Sequence, residues 1–498
     1  MKQFAQNVTR MLRSQRFFVG AMVFFVFESL WIAFSARYPQ AFDEQFHFGL
    51  IRFYSHHWSP FITNAPPSTY SFGAIVRDPS YFYHYLMSFP YRLIALFVHA
   101  QAAQVIILRL IDVLFFGFGL HVFYKLLLRA KISRPLANVS IWIMVLIPIV
   151  PQLAAQINYD DLVFPLVALT CWLTFDVYDA LREKRVDVRN VLLLLSLCLL
   201  SSIVKYAYLP IFVAVCVFVL GSAWYVFRKE LKDLWRAFAE GFFKLSKMLR
   251  VGLLALVLLS AGLFSQRYVV NMIDYHNPVP DCGQVLTVKD CLNYGPWNRN
   301  YNDAQKKSVA APKNPIKFTG EWFFGMYYRL FFAINGNYAN YFPLPVPSLA
   351  AIILTFSAAF VLALEWRRVL RGNAFLVFFL LVSVFYCGAL WLDNYKDYVS
   401  TGQPVAINGR YLLPVLLPFS AVLGRAFSLA LRRRSLRVAK PIVAFAVLVM
   451  FVAGGGIFTF ISRSDSSWYW PNSVVVHVNN AAHHALSPIL IEHGGKYY

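Results

Sequence analysis

Charge is scarce in this chain of 498 residues, and negative charge scarcer still: 24 Asp and Glu stand against 46 Lys and Arg, and charged residues make up 14% of the whole. That is too little to solvate the surface of a water-soluble protein of this length. Also missing are an internal repeat, a low-complexity tract and a polar stretch long enough to fold as a soluble catalytic domain. These absences exclude solenoids and a separate globular enzyme. What fills the space is apolar. Hydrophobic residues reach 59% and mean hydropathy is +0.54, as expected of an all-α polytopic membrane protein. The net charge of +22 does not argue for nucleic acid, because Lys and Arg gather in short runs beside the ends of apolar segments. That is the positive-inside pattern, with membrane lipids as the neighbours.

Cysteine is sparse as well, with six in all. Cys171, Cys198, Cys216 and Cys387 fall inside apolar segments and read as packing residues. Cys282 and Cys291 lie nine apart in a polar loop, where a disulfide is expected if that loop faces an oxidising compartment.

Apolar segments predict spans at about 17–35, 105–128, 136–153, 162–180, 189–204, 208–226, 250–267, 347–365, 374–392, 411–430 and 441–461. The basic start (Lys2, Arg10, Arg13, Arg16) leads directly into the first, so that span serves as the insertion signal and no cleavable signal peptide is expected. Eleven spans place the N-terminus inside and the C-terminus outside. They also bring Arg182-Glu-Lys-Arg185, Arg228-Lys229, Arg367-Arg368 and Arg432-Arg-Arg434 to one side. The apolar piece Tyr81–Val98 is assigned as a juxtamembrane helix broken at Pro90, because a crossing there would put Lys125, Arg129, Lys131 and Arg134 outside. Trp322–Ile334 is a further amphipathic candidate, and Lys229–Leu249 reads as a basic helix along anionic headgroups. Residues 1–462 thus form a transmembrane domain with outer loops 36–100 and 268–346 as the cover of a site. An extracytoplasmic tail, 463–498, follows.

The acidic residues are few enough to weigh singly. Asp43 and Glu44 adjoin the end of the first span and open an amphipathic segment in which Asp43, His47, Leu50 and Tyr54 share one side. Either could cap that helix, but not both, and a carboxylate held near a lipid phosphate also suits a general base. Asp160 and Asp161 sit at the mouth of a span, as N-caps or as substrate contacts. Arg109 and Asp112, three apart within a span, suggest an ion pair or a polar cavity. Lys205 and Arg410 either snorkel to headgroups or grip a phosphate, and Arg410 with Tyr411 in Gly-Arg-Tyr is the more pointed case. His47, His56, His57 and His84 have no specific metal-ligand spacing, so a divalent metal stays an option without a defined site.

Phe42-Asp-Glu-Gln-Phe-His47, Asn158-Tyr-Asp-Asp161, Val204-Lys-Tyr-Ala-Tyr-Leu-Pro210 and Asn408-Gly-Arg-Tyr-Leu-Leu-Pro414 occur in an order that resembles the GT-C superfamily of membrane glycosyltransferases, and within it the bacterial DUF2142-type proteins. The resemblance implies a GT-C-like bundle in the bacterial cytoplasmic membrane. Such an enzyme moves a sugar from a polyprenyl-phosphate donor to a cell-envelope glycan or lipid acceptor on the outer face, in polysaccharide biosynthesis. It implies Asp43 as general base with Glu44 beside it, and Lys205, Arg410, Tyr411 and Arg109 around the donor phosphate. His47, Arg77, Asp160 and Asp161 would be substrate contacts. Arg77-Asp-Pro-Ser80 stands where that superfamily often has Lys-Pro-Pro-Leu, with Arg77 in place of the lysine. A transporter or flippase of lipid-linked sugars is the rival class, but inverted repeats and matching Gly/Pro-broken spans are not seen.

Overall fold

A computed structural model describes residues 2–41, 43–63, 65–229, 231–306, 314–334, 341–343, 345–431, 438–453, 468–471 and 473–488. The chain begins with α1 (Lys2–Arg13), α2 (Gln15–Ser35), α3 (Glu44–Ser55), α4 (Phe82–Phe97), α5 (Gln101–Arg129), α6 (Arg134–Leu146) and α7 (Ile149–Ala154). It continues through α8 (Tyr159–Arg182), α9 (Val188–Val204), α10 (Leu209–Phe227), α11 (Leu231–Lys244) and α12 (Lys247–Tyr275). The short α13 (Cys282–Val285), α14 (Val288–Cys291), α15 (Gly295–Lys306) and α16 (Pro315–Tyr328) follow. Then come α17 (Pro345–Leu370), α18 (Ala374–Thr401), α19 (Leu413–Ala430), α20 (Ala439–Ala453) and α21 (Ser473–Leu486). A small antiparallel ladder sets Phe332–Ile334 against Tyr341–Pro343, with Phe332 opposite Pro343.

Among the described residues, eight helices are long and apolar enough to cross a membrane: Gln15–Ser35, Gln101–Arg129, Tyr159–Arg182, Tyr206–Phe227, Lys247–Tyr275, Val346–Leu370, Ala374–Thr401 and Gly409–Ala430. The protein is a polytopic helical membrane protein. Three shorter apolar helices, Arg134–Leu146, Val188–Val204 and Ala439–Val452, fall where the remaining predicted spans lie.

The differences from expectation have local causes. The span expected at 136–153 is two helices, because Pro148 offers no N–H and drives Ile147 to an extended conformation (φ −70°, ψ 119°). Pro90 does the reverse of what was expected. Helix α4 runs through it from Phe82 to Phe97, since one missing N–H removes one rung and the flanking turns hold. Helix α16 starts earlier than the amphipathic candidate and stops at Tyr328, ahead of the ladder. The end of the span expected at 441–461 and the run Arg432-Arg-Arg434 lie outside the described residues, as does much of the tail. The described part of that tail is not separate from the bundle. Trp468 and Tyr469 are buried, and the Arg37 and Trp470 amides donate to the Trp468 and Ser35 carbonyls across the end of α2.

The core is built by apolar faces at helical spacing. Helix α5 packs along α8, where the Phe116 and Phe164 rings stack with centroids 4.3 Å apart. Gly119 makes that approach possible, because a Cβ there would stand 2.5 Å from the Phe164 ring. Helix α1 turns Ala5, Val8 and Leu12 inward, and α11 lies on the surface with Trp235 and Phe243 exposed.

Candidate functional site

The site is assembled where α2 ends and α3, α8, the Lys205 turn and α19 begin. Asn158 and Asn408 build it by the same device. Each has an extended backbone and a side-chain oxygen that accepts from the amide two residues on, Asp160 N at 3.0 Å and Arg410 N at 3.1 Å. Asn158, not either aspartate, therefore caps α8, and Asp160 is left free to face Lys205. Gly409 follows Asn408 because only hydrogen fits. A Cβ there would lie 2.5 Å from the Met326 carbonyl oxygen and 2.7 Å from the Leu330 amide nitrogen. The close approach of α16 thus fixes the turn that presents Arg410.

Glu44 and Arg109 are brought together with each other. Both are fully buried. Arg109 Nε and Nη2 donate to the two Glu44 carboxylate oxygens at 2.7 and 2.8 Å. Arg109 Nη1 donates to the Ala33 and Ala36 carbonyls, and Glu44 accepts from the Gln40 and Ile157 amides. Four Arg109 N–H groups and both Glu44 carboxylate oxygens are bonded inside the protein, which is what a buried ion pair needs to persist. Arg109 does not pair with Asp112, whose Oδ2 accepts from the Tyr83 hydroxyl at 2.9 Å. The Glu44–Arg109 knot ties the end of α2 to α3 and α5, and so sets where the neighbouring residue goes.

That neighbour is Asp43. It caps nothing: its φ of 74° is left-handed and its side chain makes no capping bond. The backbone turns the carboxylate away from α3 and leaves the side chain 54% exposed. Asp43 Oδ2 accepts from Arg410 Nη2 at 2.7 Å. Arg410 is itself 7% exposed, and its guanidinium carbon lies 5.0 Å from the centre of the Tyr411 ring. Lys205, on the extended link between α9 and the next turn, is 4% exposed and pairs with Asp160. Its ammonium lies 4.5 Å from the centre of the Tyr159 ring and 5.1 Å from that of Tyr411. Two cation–carboxylate pairs therefore share one tyrosine, and only one of the two carboxylates is open.

His47 lies behind them. Its Nδ1 shares a 2.8 Å hydrogen bond with His84 Nε2, and the rings stack. Burial, then His84, Arg410 and Lys205, holds His47 well below the usual imidazole range. Burial lowers His84 to about 3. Both rings are thus neutral, one donor and one acceptor, and His47 supports the site floor against Tyr159 (ring centres 4.6 Å apart). Asp161 is fully buried, and neither of its carboxylate oxygens has a hydrogen-bond partner among the described residues. Arg77 is bound to Asp274 at 2.9 Å, at the end of α12. Among the described residues no three His, Cys, Asp or Glu side chains converge as metal ligands would.

Tyr294 covers the site from the long loop, which is closed by the Cys282–Cys291 disulfide (Cα–Cα 5.9 Å). Its ring lies against Gly73 and within 6.2 Å, centre to centre, of Phe46. Tyr159 and Tyr294 are site residues that the sequence reading does not name, and His84 enters it only as a possible metal ligand. Tyr159 stands inside the Asn-Tyr-Asp-Asp motif and could have been found there, while Tyr294 carries no sequence signal. No protein-family profile matches the chain, and no curated protein shows significant similarity to it.

Proposed function

We propose that the chain is a GT-C-type glycosyltransferase that takes a sugar from a polyprenyl-phosphate donor at the outer face of a bacterial cytoplasmic membrane. Its acceptor is a cell-envelope glycan or lipid. The observation that carries this reading is a single open carboxylate, Asp43, beside two buried cations, Arg410 and Lys205. Asp43 takes the proton of the acceptor hydroxyl as that oxygen attacks the anomeric carbon. The bond from that carbon to the phosphate oxygen breaks, and the lipid phosphate leaves as an anion. Arg410 and Lys205 meet the developing charge in a site where burial strengthens them. Arg410 faces Asp43 before donor binds, so the donor phosphate competes for the guanidinium and frees the carboxylate.

Eleven spans, with the three shorter helices counted, the N-terminus inside and the C-terminus outside, complete this reading. They put Asp43, Lys205 and Arg410 on one side and the Arg182–Arg185 and Arg228–Lys229 runs on the other. The test compares wild type, Asp43→Asn and a deletion in cells of the source organism, by mass analysis of envelope glycans and of lipid-linked sugars. Loss of one decoration with accumulation of its lipid donor, at normal protein level, supports the transferase. A decoration lost on deletion but intact in Asp43→Asn removes Asp43 as base and favours a transporter of the lipid-linked sugar.

A further inference from the structure

Helices α5 and α8 run in the same direction, with Phe116 stacked on Phe164 and, further along both, Arg129 paired with Asp176. The same register, followed one turn toward the helix starts, brings Asp112 of α5 against Asp161 of α8. The electrostatics agree: of the charges acting on Asp161, Asp112 comes ahead of Asp160, and the Tyr83 phenol feels both Asp112 and Asp161. Both carboxylates are fully buried, at 0% exposure. Asp112 Oδ2 accepts from the Tyr83 hydroxyl. Asp112 Oδ1 and both oxygens of Asp161 have no hydrogen-bond partner among the described residues. Nor does a cation face them. The other charged groups that act on the pair are Glu44 and Asp160, whose own cations, Arg109 and Lys205, are already held.

Two buried carboxylates that face each other with three open oxygens are costly unless something compensates them. Water can donate to the oxygens but leaves the charge. One shared proton links two of the oxygens and leaves the third open. A cation in contact with all three meets both demands. We infer that Asp112 and Asp161 bind one monovalent cation of the size of sodium between α5 and α8, with Tyr83 orienting Asp112 so that Oδ1 is left for the ion. The donor set selects the class. Its ligand atoms are all oxygens, which suit a hard cation. Among the described residues no third His, Cys, Asp or Glu converges on them, and the place is closed to solvent. Mg²⁺ would keep several of its waters there, and Ca²⁺ would take about six to eight oxygens. The site stands whatever reaction Asp43 performs, yet it adjoins that end of the protein. Asp161 follows Asp160, so an ion that fastens Asp161 to α5 steadies the turn of α8 from which Asp160 meets Lys205.

The test melts the full chain in detergent at fixed pH, with a chelator present, in sodium chloride and in choline chloride of equal ionic strength. An ion bound only by the folded chain raises the melting temperature with sodium concentration until the site saturates. Equilibrium dialysis with radioactive sodium should count one ion per chain. Asp112→Asn and Asp161→Asn, each close in shape to the native side chain, should lose both the bound ion and the sodium response. In choline they should melt at or above the wild-type value, because each removes one of two repelling charges. Asp233→Asn, on the surface helix α11, should keep the response. Equal melting of the wild type in the two salts, with no sodium bound, would overturn the site: the carboxylates would then hold a proton, or admit only a divalent ion. A sodium response that survives in both variants would overturn it too. The wild-type comparison and the dialysis decide the matter even where a variant fails to fold.

Discussion

Asp43 and Arg410 stand 367 residues apart in the chain and 2.7 Å apart in the fold. One is half-exposed on a left-handed turn, the other buried at the start of α19. The contact is the hinge of the proposed chemistry, because the same guanidinium that steadies the base is the group best shaped to grip a phosphate.

Binding and chemistry should separate at Asp43. Asn accepts the left-handed backbone nearly as well as Asp, so Asp43→Asn should keep thermal stability within about 0.5 kcal/mol of wild type. It also releases Arg410, so donor binding should be equal or tighter, while turnover falls by about two to four orders of magnitude. Calorimetric titration with a polyprenyl-phosphate sugar, beside a transfer assay, reads both. Weakened donor binding with normal turnover would mean that Asp43 is a binding group only.

Arg410→Lys should keep the charge and lose the fork. A lysine cannot face carboxylate and phosphate together, and the loss of a charge-assisted bidentate contact is worth about 1.5–3 kcal/mol, or roughly ten- to a hundredfold in donor affinity. Equal affinity for donor in wild type and Arg410→Lys would place the phosphate elsewhere.

Glu44 should behave unlike its neighbour. Glu44→Gln or Arg109→Met strands a buried charge, at a cost of about 3–5 kcal/mol. The pair Glu44→Gln with Arg109→Met should recover part of that. Thermal melts of the three variants decide it, and single variants as stable as wild type would refute the structural role.

The His47–His84 pair should make the protein acid-sensitive. Both folded-state values lie below the ordinary imidazole value, His84 at about 3, so below about pH 6.5 the unfolded chain binds protons that the folded chain refuses. Stability is full above that pH and falls as pH drops through 6.5 toward 3. The slope is roughly 1 kcal/mol per pH unit for each histidine. Melting His47→Asn/His84→Asn between pH 7.5 and 5 should give a flatter profile than wild type. Parallel profiles would show that these rings do not carry the effect.

Reduction should act locally. Opening the Cys282–Cys291 link frees a nine-residue separation, worth about 2–3 kcal/mol of chain entropy. Cys282→Ser with Cys291→Ser should speed proteolysis between α13 and α15 and weaken the Tyr294 cover. Midpoints of the bundle should stay where they are. A cleavage rate equal to wild type would show that the loop is held by packing alone.

Helix positions were legible because apolar runs and flanking Arg and Lys are properties of neighbours along the chain. The eight long helices lie on predicted spans for that reason, and the exceptions sit at Pro148 and Pro90, where one residue's geometry depends on what packs around it. The short motifs that carry Asp43, Asp160, Lys205 and Arg410 were visible too, since a charge beside an apolar segment stands out in a chain with so few. What each charge faces was not visible. Asp43 and Glu44 are adjacent and chemically alike, and no local rule says which is consumed by Arg109, a residue 65 positions away, and which is left open. The partnering of Lys205 with Asp160 and of His47 with His84 is likewise decided by helices crossing in space. Burial and pairing are sums over the whole fold, so the sequence alone names the candidates and only tertiary packing assigns their parts.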